Sequence, residues 1–148
     1  MTNIASSESA FVLRLVENNL IKILLQVINS TSHFEVKEQA IWCLGNISGD
    51  NHKYRDAILE LKAAESIANL IMISPPGISF VRNASWTLGN FCKGKPPARF
   101  ELLLPGIPAM IKVMIENDSE EILQDMTWAF SYVTDEGGDD RIRPFIEC

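Results

Sequence analysis

The stretch Gln39 to Asp50, QAIWCLGNISGD, recurs in altered form as NASWTLGNFCKG (83 to 94) and DMTWAFSYVTDE (125 to 136). Alignment of the three copies superposes Trp42, Trp86 and Trp128, which are 44 and 42 residues apart, and places Asn46, Asn90 and Tyr132 four residues after them. Residues i and i+4 share one face of a helix, so each tryptophan is expected beside its Asn or Tyr.

A period in the low forties is that of helical armadillo or HEAT arrays, whose units run about 40 to 47 residues. In a chain of 148 residues this makes room for about three and a half units. The pattern around the tryptophans divides accordingly. Residues 1–8 read as the tail of a preceding unit, because Asn3-Ile4-Ala5-Ser6 parallels Asn46-Ile47-Ser48-Gly49; 9–50, 51–94 and 95–136 read as three units, and 137–148 as the start of another. Each unit reads as three helices. In the first, Ser9 to Glu17 carries an apolar stripe of Phe11, Val12, Leu15 and Val16, Leu20 to Ile28 is apolar nearly all round, and Glu35 to Ser48 carries the repeated motif. Breaks are expected at Asn18-Asn19, at Asn29 to Ser32 and at Gly49-Asp50-Asn51.

The second unit reads as His52 to Leu61, Glu65 to Ile73 and Ile78 to Cys92, with a turn at Ser74-Pro75-Pro76-Gly77, where proline excludes a helix interior. After Lys93 to Pro97 the third reads as Arg99 to Leu104, Ile107 to Ile115 and Glu120 to Thr134, followed by an acidic loop, Asp135 to Asp140, and a further start at Ile142 to Cys148. A unit of this kind exposes an apolar face until a neighbour covers it. Both ends cut across the pattern, so the chain is expected to be a fragment of marginal stability whose terminal faces favour self-association.

The composition excludes several classes. A hydrophobic content of 47% and mean hydropathy of +0.07 suffice for a core. A net charge of −6 and pI near 4.9 argue against nucleic acid or an anionic membrane and for a basic partner. Cys43, Cys92 and Cys148 are odd in number and lack metal-ligand spacing, so reduced helix residues are expected, with no metal or cofactor. Met1 to Ser9 lacks the order of a secretory signal, no apolar run approaches about 20 residues, and the sequons at Asn29, Asn46, Asn83 and Asn117 are discounted. An enzyme is not expected: His33 and His52 fall in turns without partners, and there is no catalytic triad, phosphate loop or calcium-loop spacing.

The strings EQAIWCLGNISGD, VRNASWTLGNFCKGKPP and DMTWAFSYVTDEGGDDRI resemble the third helices of consecutive repeats in the importin alpha (karyopherin alpha) family. The resemblance covers nearly the whole chain, from the end of repeat two through repeat five. It implies an all-α armadillo solenoid, a right-handed superhelix with third helices lining the concave face. It also implies a nuclear import adaptor of cytoplasm and nucleus that binds lysine- and arginine-rich nuclear localisation signals as extended peptides. Trp42, Trp86 and Trp128 would be slot walls, Asn46 and Asn90 would clamp the peptide backbone, and Tyr132 stands in place of the third Asn. Gln39, Asn83 and Asp125, three before each Trp, and Glu121, seven before the third, match family positions that touch the peptide. Asp50 matches the aspartate that pairs with the most critical signal lysine, Lys93 a basic residue separating two binding sites, and Asp135 would add negative potential. Ser7 and Val12 depart from the glycine and threonine usual beside the main lysine pocket, and the basic leader through which importin beta is recruited is not present.

The chemistry of these residue types agrees independently. A lysine stem lies along an indole face with cation–π support of about 0.5–2 kcal/mol, and an Asn amide offers a donor and an acceptor to an extended backbone. The alternative left open is an armadillo scaffold with a degenerate groove and a different partner.

Overall fold

A computed structural model describes residues 9–73, 77–135 and 139–146. Expectations for residues 1–8, including Ser7, for Ser74 to Pro76 and for Glu136 to Gly138 lie outside the described residues, as does Cys148. Helices come in threes: α1 (Ser9–Glu17), α2 (Leu20–Ser30) and α3 (Phe34–Asp50); α4 (His52–Glu60), α5 (Ala63–Ile73) and α6 (Ile78–Cys92); α7 (Phe100–Leu103), α8 (Ile107–Glu116) and α9 (Glu120–Thr134). A further helix, α10 (Asp139–Ile146), follows. The long third helices pack side by side, α3 on α6 and α6 on α9, and the second helices fill the layer behind them.

The second helices show how sequence makes the core. In α2 the buried residues are Leu20, Ile21, Leu24, Leu25 and Ile28; in α5 they are Ala63, Ala64, Ile67, Ala68 and Ile71, the same spacing with smaller side chains. That i, i+1, i+4, i+5, i+8 pattern turns one stripe of each helix inward. Val12, the departure noted at the lysine pocket, is itself fully buried in this core. Cys43 and Cys92 are buried free thiols, and burial pushes the Cys92 thiol up to about 12, which leaves it protonated and unreactive at neutral pH.

Helix boundaries differ from the expected ones where local chemistry was misjudged. Gly49 and Asp50 do not end α3 but complete it, and Asn51 is the punctuation: its side chain accepts from the Lys53 N–H at 2.9 Å and starts α4. His52 opens α4, where the helix from His52 to Leu61 was expected to start, so it does not lie in a turn, while Asp139 and Asp140, expected in a loop, open α10. The first helix of the third unit shortens to four residues and passes into a 3-10 turn, Leu104–Gly106, because Pro105 fits an early helical position but cannot donate within a longer helix.

The junction between first and second helices repeats its geometry. Asn19 (φ 61°) and Lys62 (φ 62°) each stand one residue before the second helix in left-handed conformation. Asn tolerates this region through local hydrogen bonding, whereas lysine is strained there by about 1 kcal/mol. Lys62→Asn is expected to raise the unfolding free energy by about 0.5–1 kcal/mol, read from urea denaturation midpoints.

Candidate functional site

On the face formed by α3, α6 and α9, the three tryptophans do not share one environment. Trp86 is half-buried because its ring lies against the backbone of α3 at Gly45: a Cβ placed on Gly45 would stand 2.5 Å from Trp86 Cζ3 and 2.6 Å from Thr87 Oγ1. Thr87 Oγ1 donates to the Ile41 carbonyl at 3.2 Å, and Asn90 Nδ2 donates to the Gly45 carbonyl at 3.2 Å. These bonds tie α6 to α3 through side chains. The third unit has Ala129 and Tyr132 at the aligned positions. Neither reproduces those side-chain amide and threonine bonds, and Trp128 is 56% exposed, stacked on Tyr132 with ring centroids 6.0 Å apart and planes at 26°.

A cleft of about 250 Å³ therefore lies between α6 and α9, lined by Trp86, Asn90, Lys93, Asp125, Trp128 and Tyr132, with Gly89 and Ala129 as its small-residue floor. Six expected residues meet there. A second cleft, of about 300 Å³, lies at the C-terminal ends of α3 and α6 and holds Asp50 with Gly49, His52, Asn90, Lys93 and Lys95. Asn90 and Lys93 belong to both. Gln39, Trp42 and Asn46 lie on α3 outside these two clefts; Gln39 is exposed, Trp42 is half-buried, and Asn46 Nδ2 is buried without a hydrogen-bond partner.

Asn83 and Glu121 are engaged within the protein. Asn83 Nδ2 donates to Glu38 Oε1 at 2.6 Å, and the same oxygen accepts from Ser79 Oγ at 2.6 Å. Glu121 pairs with Arg82 at 2.9 Å. Glu38 and Arg82 were missed from sequence, although both stand four residues before a motif tryptophan, on the same helical face. Arg55 was missed too. It is fully buried, and its guanidinium donates to the Lys93 and Pro96 carbonyls at 2.8 Å each while pairing with Asp56 at 2.8 Å.

Burial, and then the neighbouring Glu121 carboxylate, raise the pKa of Asp125 above its ordinary value. A raised carboxylate pKa means the folded protein holds this proton more readily than the unfolded chain. Its destabilising contribution is thus present at neutral pH and disappears as pH falls through the raised pKa to the ordinary value. Asp125→Asn is accordingly expected to stabilise the fold at pH 7 and to give no such advantage below the ordinary aspartate range; paired thermal melts at the two pH values check this.

Residues 11–49 match the Armadillo/beta-catenin-like repeat family. The chain is 39% identical over 148 residues to Importin subunit alpha-2 of Arabidopsis thaliana, covering 100% of this chain and 27% of that protein. It is 40% identical over 149 residues to Importin subunit alpha-1b of Oryza sativa subsp. japonica, covering 99% of this chain and 27% of that one. It spans about a quarter of the length of these relatives. Among solved structures, a designed armadillo repeat protein in complex with the peptide (KR)4 superposes with a TM-score of 0.78 at 22% identity, covering 99% of this chain and 59% of that one. A computationally designed armadillo repeat protein for modular peptide recognition gives 0.81 at 20% identity, with 99% and 60% covered. The chain therefore has the armadillo-repeat fold, and along its whole length it is similar to about a quarter of importin subunit alpha.

Proposed function

We propose that the face of α3, α6 and α9 binds extended lysine- and arginine-rich peptides, that these are nuclear localisation signals of cargo proteins, and that the chain serves nuclear import between cytoplasm and nucleus. The observation that carries this is the cleft between α6 and α9, where an exposed indole and phenol stack stands beside the Asp125 carboxylate and the Asn90 amide. An aliphatic lysine stem packs on such a surface while its ammonium reaches a carboxylate. Because Asn90 Nδ2 already donates to Gly45, its Oδ1 is the atom left to accept a peptide N–H. Asp50, in the adjoining cleft, is proposed as the partner of a second lysine, and the net charge of −6 favours encounter with a basic peptide. The importin alpha relatives and the (KR)4 complex of the designed neighbour support the same class of ligand.

The test is a titration of a lysine-rich peptide followed by tryptophan fluorescence at low salt. Wild type is expected to bind, Asp50→Lys to weaken binding at least about tenfold, and a control at exposed Lys22 to leave it unchanged. Absence of binding by protein of intact helical circular dichroism overturns the reading. It would favour the scaffold alternative, which draws some support from Asn83 and Glu121 being engaged with Glu38 and Arg82.

A further inference from the structure

A cleft of about 340 Å³ lies on the side of the second helices, between the C-terminal end of α2 and the exposed face of α5, and shares no residue with the two clefts of the peptide face. Its lining sets Lys37 of α3 with Asn29, Ser66 and Asn69, beside Leu61 and Leu70. Lys37 is 8% exposed, and its ammonium is placed by one bond, donated at 2.6 Å to the carbonyl of Ile28, another residue of the lining. Repetition of the fold does not ask for a cation there. Alignment on the tryptophans puts Val81 and Leu123 at the same position of α6 and α9, and alignment of α2 with α5 by their buried residues puts Met72 where α2 has Asn29. A buried charge is costly unless it is paired. No carboxylate among the described residues pairs with Lys37, and Glu65, which also borders the cleft, pairs with Lys62 at 3.9 Å. The Ile28 bond offsets the charge only in part, since the carbonyl end of a helix carries about half a negative charge and an ammonium has further N–H donors. The side chains of Asn29, Ser66 and Asn69 make no hydrogen bond within the protein among the described residues.

We propose that this cleft binds a carboxylate, the side chain of an aspartate or glutamate in a segment of a partner protein, with the Lys37 ammonium as its counter-ion and the Asn29, Ser66 and Asn69 side chains as hydrogen-bond donors. A residual positive charge of about half a unit suits one carboxylate better than a phosphate dianion, which the nearby Glu65 would also repel. The surroundings fit a segment better than a free acid. Met72 and Ile73, both exposed, stand three and four residues after Asn69 on the same face of α5, and exposed Leu61 stands just before that helix. Apolar residues beside the acid therefore find contacts at both ends of the cleft.

The experiment follows the amide resonances of Asn29, Lys37, Ser66 and Asn69 by two-dimensional NMR of the isotope-labelled chain while three probes are added in turn: the blocked peptide acetyl-Leu-Glu-Leu-amide, its Leu-Gln-Leu counterpart, and sodium acetate. The Glu peptide is expected to shift the four residues together and saturably. The Gln peptide is expected to bind at least about tenfold more weakly, the scale of a charge-assisted hydrogen bond. Acetate is expected to be weaker than the Glu peptide by a similar factor, because it leaves the apolar contacts unmade. Lys37→Met keeps much of the side-chain volume and matches the apolar Val81 and Leu123 of the other units; shown folded by circular dichroism, it is expected to lose the preference for Glu over Gln. A Lys37 that only caps the carbonyl end of α2 would lower the melting temperature when replaced and give wild type no preference between the peptides, which overturns the proposal. A preference that persists in Lys37→Met overturns it as well, and acetate binding as tightly as the Glu peptide overturns the partner segment. Where Lys37→Met does not fold, Asn69→Ala at an exposed position is expected to weaken the Glu peptide by about threefold or more; unchanged affinity counts against the proposal.

Discussion

Arg55→Ala is expected to lower the unfolding free energy by about 3–5 kcal/mol, from a cavity in a closed site together with charge-assisted hydrogen bonds lost to two carbonyls. The side chain is 0% exposed and donates to Asp56, Lys93 and Pro96. The carboxylate left behind is a smaller term. Asp56 is 40% exposed, so water can solvate it when its partner is gone, unlike a charge stranded in a core. Most of the loss therefore comes from volume and from the carbonyls, and Arg55→Met separates the two. Methionine refills much of the space, so its cost is expected to be about 1–3 kcal/mol, the share belonging to the hydrogen bonds. Urea denaturation of both variants, with the slope compared to wild type, reads the difference. If alanine and methionine cost the same, the volume argument is wrong.

Arg55 also marks where sequence reading stops. Its helix, α4, was legible as short and amphipathic, and on that pattern an arginine belongs to the solvated face. What buries it is a loop 38 to 41 residues downstream, and no local period reports that. The bounds of α6 and α9 were legible because Gly77 and the Asn117 to Ser119 cluster punctuate the chain just before them. The end of α3 was not, since Gly49 and Asp50 are weak helix formers that read as a break, yet stand exposed in its last turn. Within the candidate site, the Trp128 and Tyr132 stack followed from i, i+4 spacing. The pairs Glu38 with Asn83 and Arg82 with Glu121 did not, because they depend on how far one third helix is shifted along its neighbour. That shift is a tertiary quantity.

The same distinction makes identical tripeptides respond oppositely to one substitution. Leu44-Gly45-Asn46 and Leu88-Gly89-Asn90 are the same three residues at the same place in α3 and α6. A methyl group on Gly45 would stand 2.5 Å from Trp86 Cζ3 and 2.9 Å from Trp86 Cε3, closer than carbon atoms approach, with Thr87 Oγ1 at 2.6 Å on the same side. Both side chains are ring or short-branched groups seated against α3, and Thr87 is itself fully buried, so relief requires the helices to part. Gly45→Ala is therefore expected to cost about 1–3 kcal/mol by overpacking, even though alanine is the better helix former. At Gly89 a Cβ would meet the Asp125 carbonyl at 3.6 Å and Ala129 Cβ at 3.9 Å, ordinary contacts on the floor of the α6 and α9 cleft. Only the helix-propensity gain remains, so Gly89→Ala is expected to stabilise by about 0.5–1 kcal/mol. Its methyl also narrows the cleft, and binding of a lysine-rich peptide should weaken while stability rises. Denaturation midpoints of the two variants, with peptide titration of the second, check both signs; equal effects at the two glycines would mean that α3–α6 and α6–α9 pack alike and that the cleft is not a distinct feature of the third unit.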